Sequence, residues 1–282
     1  MAGTSNRQNR RVANLSRMTI LLFAVVFSLF PIYWTINTSL KQADKIVHYP
    51  PSFSPNPATV DHYSAVLSRS SIPHNLVNTL VLAGFTITLV LLLGIPGGYA
   101  VARYRFRGRN LLLFFLLSTV MIPGVVTLIP QYLMAVSLGL QGTWLVLVLV
   151  FSAWQLPLVV WVLKSFFERI PSELEESARL DGCSRIGALR RVVLPLTWPG
   201  VAASAILVFI WVWNEFIISL TLTTSDATRP LTVGLYFFIG ETGIRWGPLT
   251  AGAVIVLTPA IVFFLLLQRH FVEGLTAGAT KG

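Results

Sequence analysis

The groups that could do chemistry are few. In 282 residues there are eleven carboxylates, four histidines and one cysteine. The histidines stand at positions 48, 62, 74 and 270, without the spacing a metal site requires. No G-x-x-x-x-G-K-[ST] loop is present to cradle a nucleotide phosphate, and neither a nucleophile elbow nor an H-E-x-x-H pair occurs. An enzyme reading therefore has no constellation to stand on, and no cofactor or metal is expected on this chain. Cys183 has no intrachain partner, and its position asks only for a small residue. Four carboxylates, Glu173, Glu175, Glu176 and Asp181, gather with four arginines in one stretch, PSELEESARLDGCSRIGALRRVVLPLTWPG, residues 171–200. Glu215 stands apart in W-V-W-N-E-F.

The polar stretch reads as two short helices joined at a corner. Ser172 is placed to cap the first, with Glu175 three residues on completing a capping box and Pro171 outside. Glu173, Glu175 and Glu176 lie in the first turn, where the helix dipole favours negative charge. Glu175 and Arg179 form an i,i+4 pair in the better orientation. Leu174, Ser177, Ala178 and Asp181 share a face. Asp181-Gly182 ends the helix, because glycine accepts a left-handed cap. Ser184 caps the second helix, whose Ile186, Leu189 and Val193 share a face, and Pro195 is expected to stop it. Two uses fit such a segment: docking into another protein's cleft, or lying as an amphipathic helix on lipid headgroups.

The elements that position these groups are apolar. The chain is 54% hydrophobic and 11% charged, against about 25% charged in soluble domains. This is the composition of an all-α integral membrane protein. Six apolar runs, at about 18–40, 74–102, 110–135, 144–167, 200–223 and 248–268, each approach the roughly 20 residues that cross a bilayer. The first run, with Pro31 as a kink, is too long for a signal-peptide core and lacks a cleavage site, so it reads as an uncleaved span. Residues 1–17 read as a disordered cytoplasmic arm, 18–269 as a six-span domain and 270–282 as a cytoplasmic tail. Residues 41–73 read as an external loop with little regular structure. The segment 168–199 reads as cytoplasmic, and 224–247 as external with a short surface helix over 231–239. With both termini inside, 16 of the 21 Lys and Arg residues fall on the cytoplasmic side. The positive-inside rule selects that orientation. The net charge of +10 is then a membrane signal and not a nucleic-acid one.

Within the spans, Gly94 and Gly98 lie one turn apart beside Pro96, which fits either a close helix contact or a flexible kink. Glu215, about 22 Å along the helix from Gly200, admits two readings. It is a polar group on a translocation path, with Asn214 beside it and Trp211 or Trp213 offering a stacking face to a sugar ring, or it makes a helix-pairing hydrogen bond. Proton- or sodium-coupled carriers place ionisable groups near the bilayer midplane. These spans offer almost none.

Glu176-Ser177-Ala178, then Gly182 after three residues, then Val192-Val193-Leu194-Pro195 after nine more, resembles the EAA loop of binding-protein-dependent ABC importer permeases. Ser177 stands where that motif has Ala, and Val192 where it has Ile. Tyr99-Ala100-Val101-Ala102-Arg103, Phe106-Arg107-Gly108, Met121-Ile122-Pro123, Trp213-Asn214-Glu215-Phe216 and Gly274-Leu275-Thr276-Ala277-Gly278-Ala279 extend the likeness to the carbohydrate-uptake branch. The resemblance implies a type I importer fold with cytoplasmic coupling helices, in a prokaryotic inner or plasma membrane. It implies a second homologous permease, ATPase subunits that carry ATP and Mg, and an extracytoplasmic solute-binding protein. Glu176, Ser177, Ala178, Asp181, Gly182, Leu194 and Pro195 would couple to the ATPase, and residues 273–280 would reach its interface. Trp211, Asn214 and Glu215 would face the solute. A sugar or oligosaccharide is implied, with glycerol 3-phosphate as the alternative. A phosphate ester calls for Arg or Lys along the path, and the spans carry none apart from Lys164 at the cytoplasmic end of the 144–167 run.

Overall fold

A computed structural model describes residues 3–240 and 243–279, with side chains for all but 3–13, 15, 69 and 266–279. The chain divides into two units, residues 1–70 with 237–255, and residues 71–236 with 256–282.

The first unit holds α1 (Gly3–Ser39), α2 (Ala43–Ile46), α3 (Asp61–Arg69), a small hairpin of β1 (Ile239–Gly240) and β2 (Gly243–Ile244), and the start of α14 (Trp246–Ala279). The arm read as disordered is helical from Gly3, continuous with the apolar run. Residues 41–60 are pinned and not loose. The Lys41 ammonium donates to the Ser52 carbonyl at 2.6 Å and lies 4.8 Å from the Trp34 ring. Thr59 N–H donates to the Leu40 carbonyl at 2.8 Å. The segment 41–73 also contains α2 and α3, so the expectation of little regular structure is corrected.

The second unit is built on α4 (Ile72–Arg103), α7 (Trp144–Phe167) and α11 (Trp198–Asn214). Val90, Phe151, Val159, Leu163, Phe167 and Val208 are its fully buried centre. Glycines let the helices approach. A Cβ on Gly98 would lie 3.0 Å from Leu163 Cβ and 3.2 Å from two backbone atoms of α7. Of the two readings of Gly94 and Gly98, close packing is the one realised. By contrast α1, α5 (Arg109–Val120) and α6 (Gly124–Ser137) leave most apolar side chains exposed, among them Phe27, Phe114 and Ile129. Exposed apolar helices of this kind suit lipid or another apolar surface.

Among the described residues, four helices are long and apolar enough to cross a membrane: 16–39 of α1, α4, α7 and 246–265 of α14. The count reaches six only if two bent pairs each make one span. The run at 110–135 is not straight: α5 and α6 meet at 95° across Pro123, while Pro130 lies inside α6. The second bend, of 77°, falls at Thr197, ahead of α11. Pro199 in the first turn of α11 gives the reason, since proline suits a helix start, has no N–H to donate back to the Pro195 carbonyl and would clash with it in a continuous helix.

Pro195 does not stop the preceding helix. After α8 (Ser172–Leu180) and α9 (Arg185–Ala188), residues Leu189–Val193 form a π turn that leads into α10 (Leu194–Leu196). Leu194 N–H reaches back five residues to the Leu189 carbonyl. That wider turn gives the pyrrolidine ring room that a regular α-turn denies. The run at 200–223 is also interrupted, between α11 and α12 (Ile217–Leu222). The helix expected at 231–239 is α13 (Leu231–Tyr236), and it is packed, not superficial. Leu231 N–H donates to Thr79 Oγ1 of α4 at 2.8 Å, and Leu231 and Val233 are buried. Asn78 holds the preceding loop through the Ala227 and Arg229 carbonyls at 3.1 and 3.0 Å.

Candidate functional site

Two places gather the residues singled out from the sequence. The first is the elbow formed by α8 and α9. The helix starts one residue earlier than the capping box requires, so Ser172 is already helical and makes no cap bond. The box is lost because Glu175 is engaged elsewhere. Its carboxylate accepts from Arg103 Nε at 2.5 Å and from Tyr99 Oη at 2.6 Å, and Glu175 is buried. The expected Glu175–Arg179 pair gives way to this longer-range one. Arg103 Nη2 also donates to the Ile170 carbonyl at 2.8 Å, holding the backbone that enters α8. Tyr99 meets Phe167 edge-on with ring centroids 5.8 Å apart, which ties the end of α7 into the same cluster. Arg109 adds bonds to the Val101 carbonyl and to Glu168.

The far end of α8 closes as the sequence suggests. Gly182 has φ +88°, Gly182 N–H donates to the Arg179 carbonyl, and Cys183 N–H donates to the Ala178 carbonyl at 3.0 Å. This is the Schellman pattern. Ser184 Oγ accepts from Gly187 N–H at 3.1 Å and caps α9. With Glu175 and Ala178 turned inward, the exposed face carries Glu173, Glu176, Ser177, Leu180, Asp181 and Gly182. Leu180 is 89% exposed and Ile186 66% exposed. Between the two helices lies a cleft lined by Glu176, Arg179, Cys183 and Arg185. No atom would meet a Cβ on Gly182 within 4 Å. Leu194 and Pro195 sit beyond the π turn, on the segment that leads to the bend at Thr197. The elbow therefore presents a surface of mixed charge with exposed Leu180 and Ile186, and its inner side is bolted to α4 through Glu175.

The second place is a cavity of about 1030 Å³. Its walls come from the α5–α6 bend (Val120 to Gly124), from Trp154 and Gln155 of α7, and from the α11–α12 break. Trp211, Asn214 and Glu215 all line it, whereas Trp213 is buried and stacks on Phe209 at 5.1 Å. The Trp211 ring is held edge-on by Phe151 at 5.2 Å.

Glu215 lines the cavity, but its carboxylate is engaged locally. Its carboxylate accepts from Ile218 N–H at 2.7 Å, Ser219 N–H at 2.9 Å and Ser219 Oγ at 2.7 Å. It caps the short helix that follows the break, and its own carbonyl accepts from Thr232 Oγ1 at 2.7 Å. Trp154 and Gln155, which no pattern in the sequence separates from other residues of an apolar run, complete the polar and aromatic part of the wall. The lining contains no Lys or Arg. Among the described residues no group of three or more His, Cys, Asp or Glu side chains could hold a metal.

Comparison with known proteins gives consistent matches. The model for binding-protein-dependent transport system inner membrane components matches residues 94–276. The sulfoquinovosyl glycerol transport system permease protein SmoH of Agrobacterium fabrum is 34% identical over 258 residues, covering 92% of this chain and 90% of the relative. The trehalose transport system permease protein SugB of Mycobacterium tuberculosis is 34% identical over 260 residues, covering 92% and 94%. Among solved structures, a chain of a bacterial ABC transporter involved in the import of the acidic polysaccharide alginate superposes with TM-score 0.82 at 23% identity, covering 93% of this chain and 98% of that one. At that identity the match establishes the fold.

Proposed function

Because the chain belongs to the family of binding-protein-dependent transport system inner membrane components, we propose that it is the permease subunit of an ATP-driven importer whose cargo is a sugar or oligosaccharide. The observation that carries the cargo is the cavity wall: two tryptophans, Gln155 and Asn214, and no cation. Flat aromatic faces with amide groups suit the apolar faces and hydroxyls of a sugar ring. An anionic solute would ask for Arg or Lys. Sulfoquinovosyl glycerol and trehalose are the solutes that the relatives' names state.

On this reading the chain pairs with a second, homologous permease, and a solute-binding protein delivers cargo from outside. ATP and Mg reside on separate ATPase subunits. Both termini and the elbow face the cytoplasm, in keeping with the distribution of Lys and Arg. Glu176, Ser177, Asp181 and Gly182 form the surface that enters the ATPase cleft, and Ala178, also expected on that surface, is turned inward and seats α8 in the elbow. Glu176 meets a basic group there, Gly182 permits close approach, and Leu194 and Pro195 fix the exit of the segment. Residues 273–280, expected to reach the same interface, lie outside the described side chains. The test is reconstitution with the co-purifying subunits and binding protein in liposomes, followed by uptake of labelled disaccharides. ATP-dependent accumulation of a neutral sugar supports the proposal. Uptake without ATP, or of phosphate esters only, overturns it.

A further inference from the structure

We infer that Glu175, Tyr99 and Arg103 form the joint that transmits motion of α8 to the α4–α7 core, and that Glu175 is a positioning residue for coupling. The inference rests on the permease reading above and concerns a residue next to the docking surface, not on it. Three features carry it. Both oxygens of a buried carboxylate are taken up by α4, through Arg103 at 2.5 Å and Tyr99 at 2.6 Å. The same arginine holds the Ile170 carbonyl at 2.8 Å, so the strand of chain entering α8 and the helix itself are fixed to one side chain. Tyr99 in turn lies edge-on against Phe167, and Lys164 and Arg109 converge on Glu168 one residue beyond α7.

The other attachment of α8 lies within the elbow. Its convex face is exposed, and its remaining packing is against α9 and the π turn. A push on the exposed face therefore reaches the spans by two routes. One is the π turn and the 77° bend, which is a wide turn followed by a break. The other is the ion pair, a short connection between two helix bodies. Rigid coupling needs the second. Charge and shape both matter here. The guanidinium meets one oxygen and the phenol the other, a set that an amide in place of the carboxylate cannot reproduce because one of its two positions is a donor.

The experiment uses the intact transporter purified with its ATPase and partner permease, reconstituted in liposomes, comparing wild type with Glu175→Gln, Tyr99→Phe and the exchanged pair Arg103→Glu with Glu175→Arg. Uptake and ATP hydrolysis are measured on the same liposomes. For Glu175→Gln the ATPase still co-purifies, hydrolysis stays within about threefold and uptake per ATP falls at least tenfold. Tyr99→Phe keeps the ring against Phe167 and loses about threefold in the same ratio. The exchanged pair restores the charge pair but not the bonds to Tyr99 and the Ile170 carbonyl, and recovers the ratio at least twofold over Glu175→Gln. Loss of the ATPase on purification, a proportional fall of uptake and hydrolysis, or an unchanged ratio each overturns the inference. Absence of ATP-dependent uptake in the wild type would instead overturn the permease reading on which it rests.

Discussion

Replacing Glu215 should loosen one short helix and little else. The carboxylate accepts two backbone N–H groups and one hydroxyl at the start of α12, a helix of only six residues. Ile218 and Ser219 are 5% and 1% exposed, so water does not replace a lost acceptor readily. Each buried donor left without a partner costs about 1–3 kcal/mol, and such losses are not additive within one cap. For Glu215→Ala a local loss of about 2–3 kcal/mol follows. Glu215→Gln retains one acceptor oxygen and should lose about 1 kcal/mol. Glu215→Asp keeps the charge, reaches Ile218 at the usual cap spacing and gives up Ser219, which places it between wild type and Gln. Hydrogen exchange read by mass spectrometry on the purified assembly measures this directly. At 1.4 kcal/mol per tenfold, exchange at Ile218 and Ser219 should accelerate about 30- to 100-fold in Glu215→Ala and about fivefold in Glu215→Gln. Exchange over α4 and α7 should not change. Wild-type exchange at Ile218 and Ser219 in the alanine variant would show that the cap is not what holds α12. An equal acceleration everywhere would show that the effect is global.

Five other substitutions test three separate parts of the structure. Gly98→Ala should destabilise the protein by about 1–3 kcal/mol, because its Cβ would press on α7 backbone; Gly84→Ala, with nothing within 4 Å, should be neutral or slightly stabilising, and thermal unfolding in detergent compares the two. Gly182→Asp should abolish uptake while the protein still inserts and purifies, since the site is open in the isolated chain and the φ of +88° costs only about 1–2 kcal/mol for a residue with a Cβ; normal uptake would refute the docking role of Gly182. Trp154→Ala and Trp211→Ala should each lower uptake of a disaccharide at least tenfold with the ATPase still bound, and unchanged uptake in both would remove the cavity from the path.

Local signals were legible where local physics decides the outcome. The 144–167 run is α7 to the residue, with Thr143 as its cap. The glycine stop at 182 and the Ser184 cap formed as their residue types require. The capping box at Ser172 failed for a reason the pattern cannot contain. Glu175 had a local partner and a distant one, and the distant one offered a buried guanidinium and a phenol together. Proline was an uneven guide. Pro123 interrupts the 110–135 run with a 95° bend, as its type suggests, whereas Pro130 stayed inside α6 and Pro195 was absorbed by a π turn. What decides among these outcomes is whether neighbouring backbone groups find other partners, and that depends on residues far away in the chain.

The breaks and the isolated charge are one feature seen from two sides. Irregular backbone at membrane depth is tolerated only where it is buried in protein or lines a polar cavity. The α5–α6 bend and the α11–α12 break both open onto the same cavity, and neither α4 nor α7 is interrupted there. A carboxylate at the bilayer centre costs roughly 2.5–3.5 kcal/mol on insertion scales, and less toward either surface. A helix that restarts in such surroundings exposes N–H groups that cost several kcal/mol if nothing accepts from them. Glu215 offsets one deficit with the other, since its charge is satisfied by the N–H groups the break exposes. That makes Glu215 a support of the cavity wall, which Trp154, Gln155, Trp211 and Asn214 also line. Substitutions at those four should alter which sugar is taken up, whereas Glu215 variants should lower uptake of all cargoes in the same proportion. A Glu215→Gln transporter that lost one sugar and kept another would reverse that assignment.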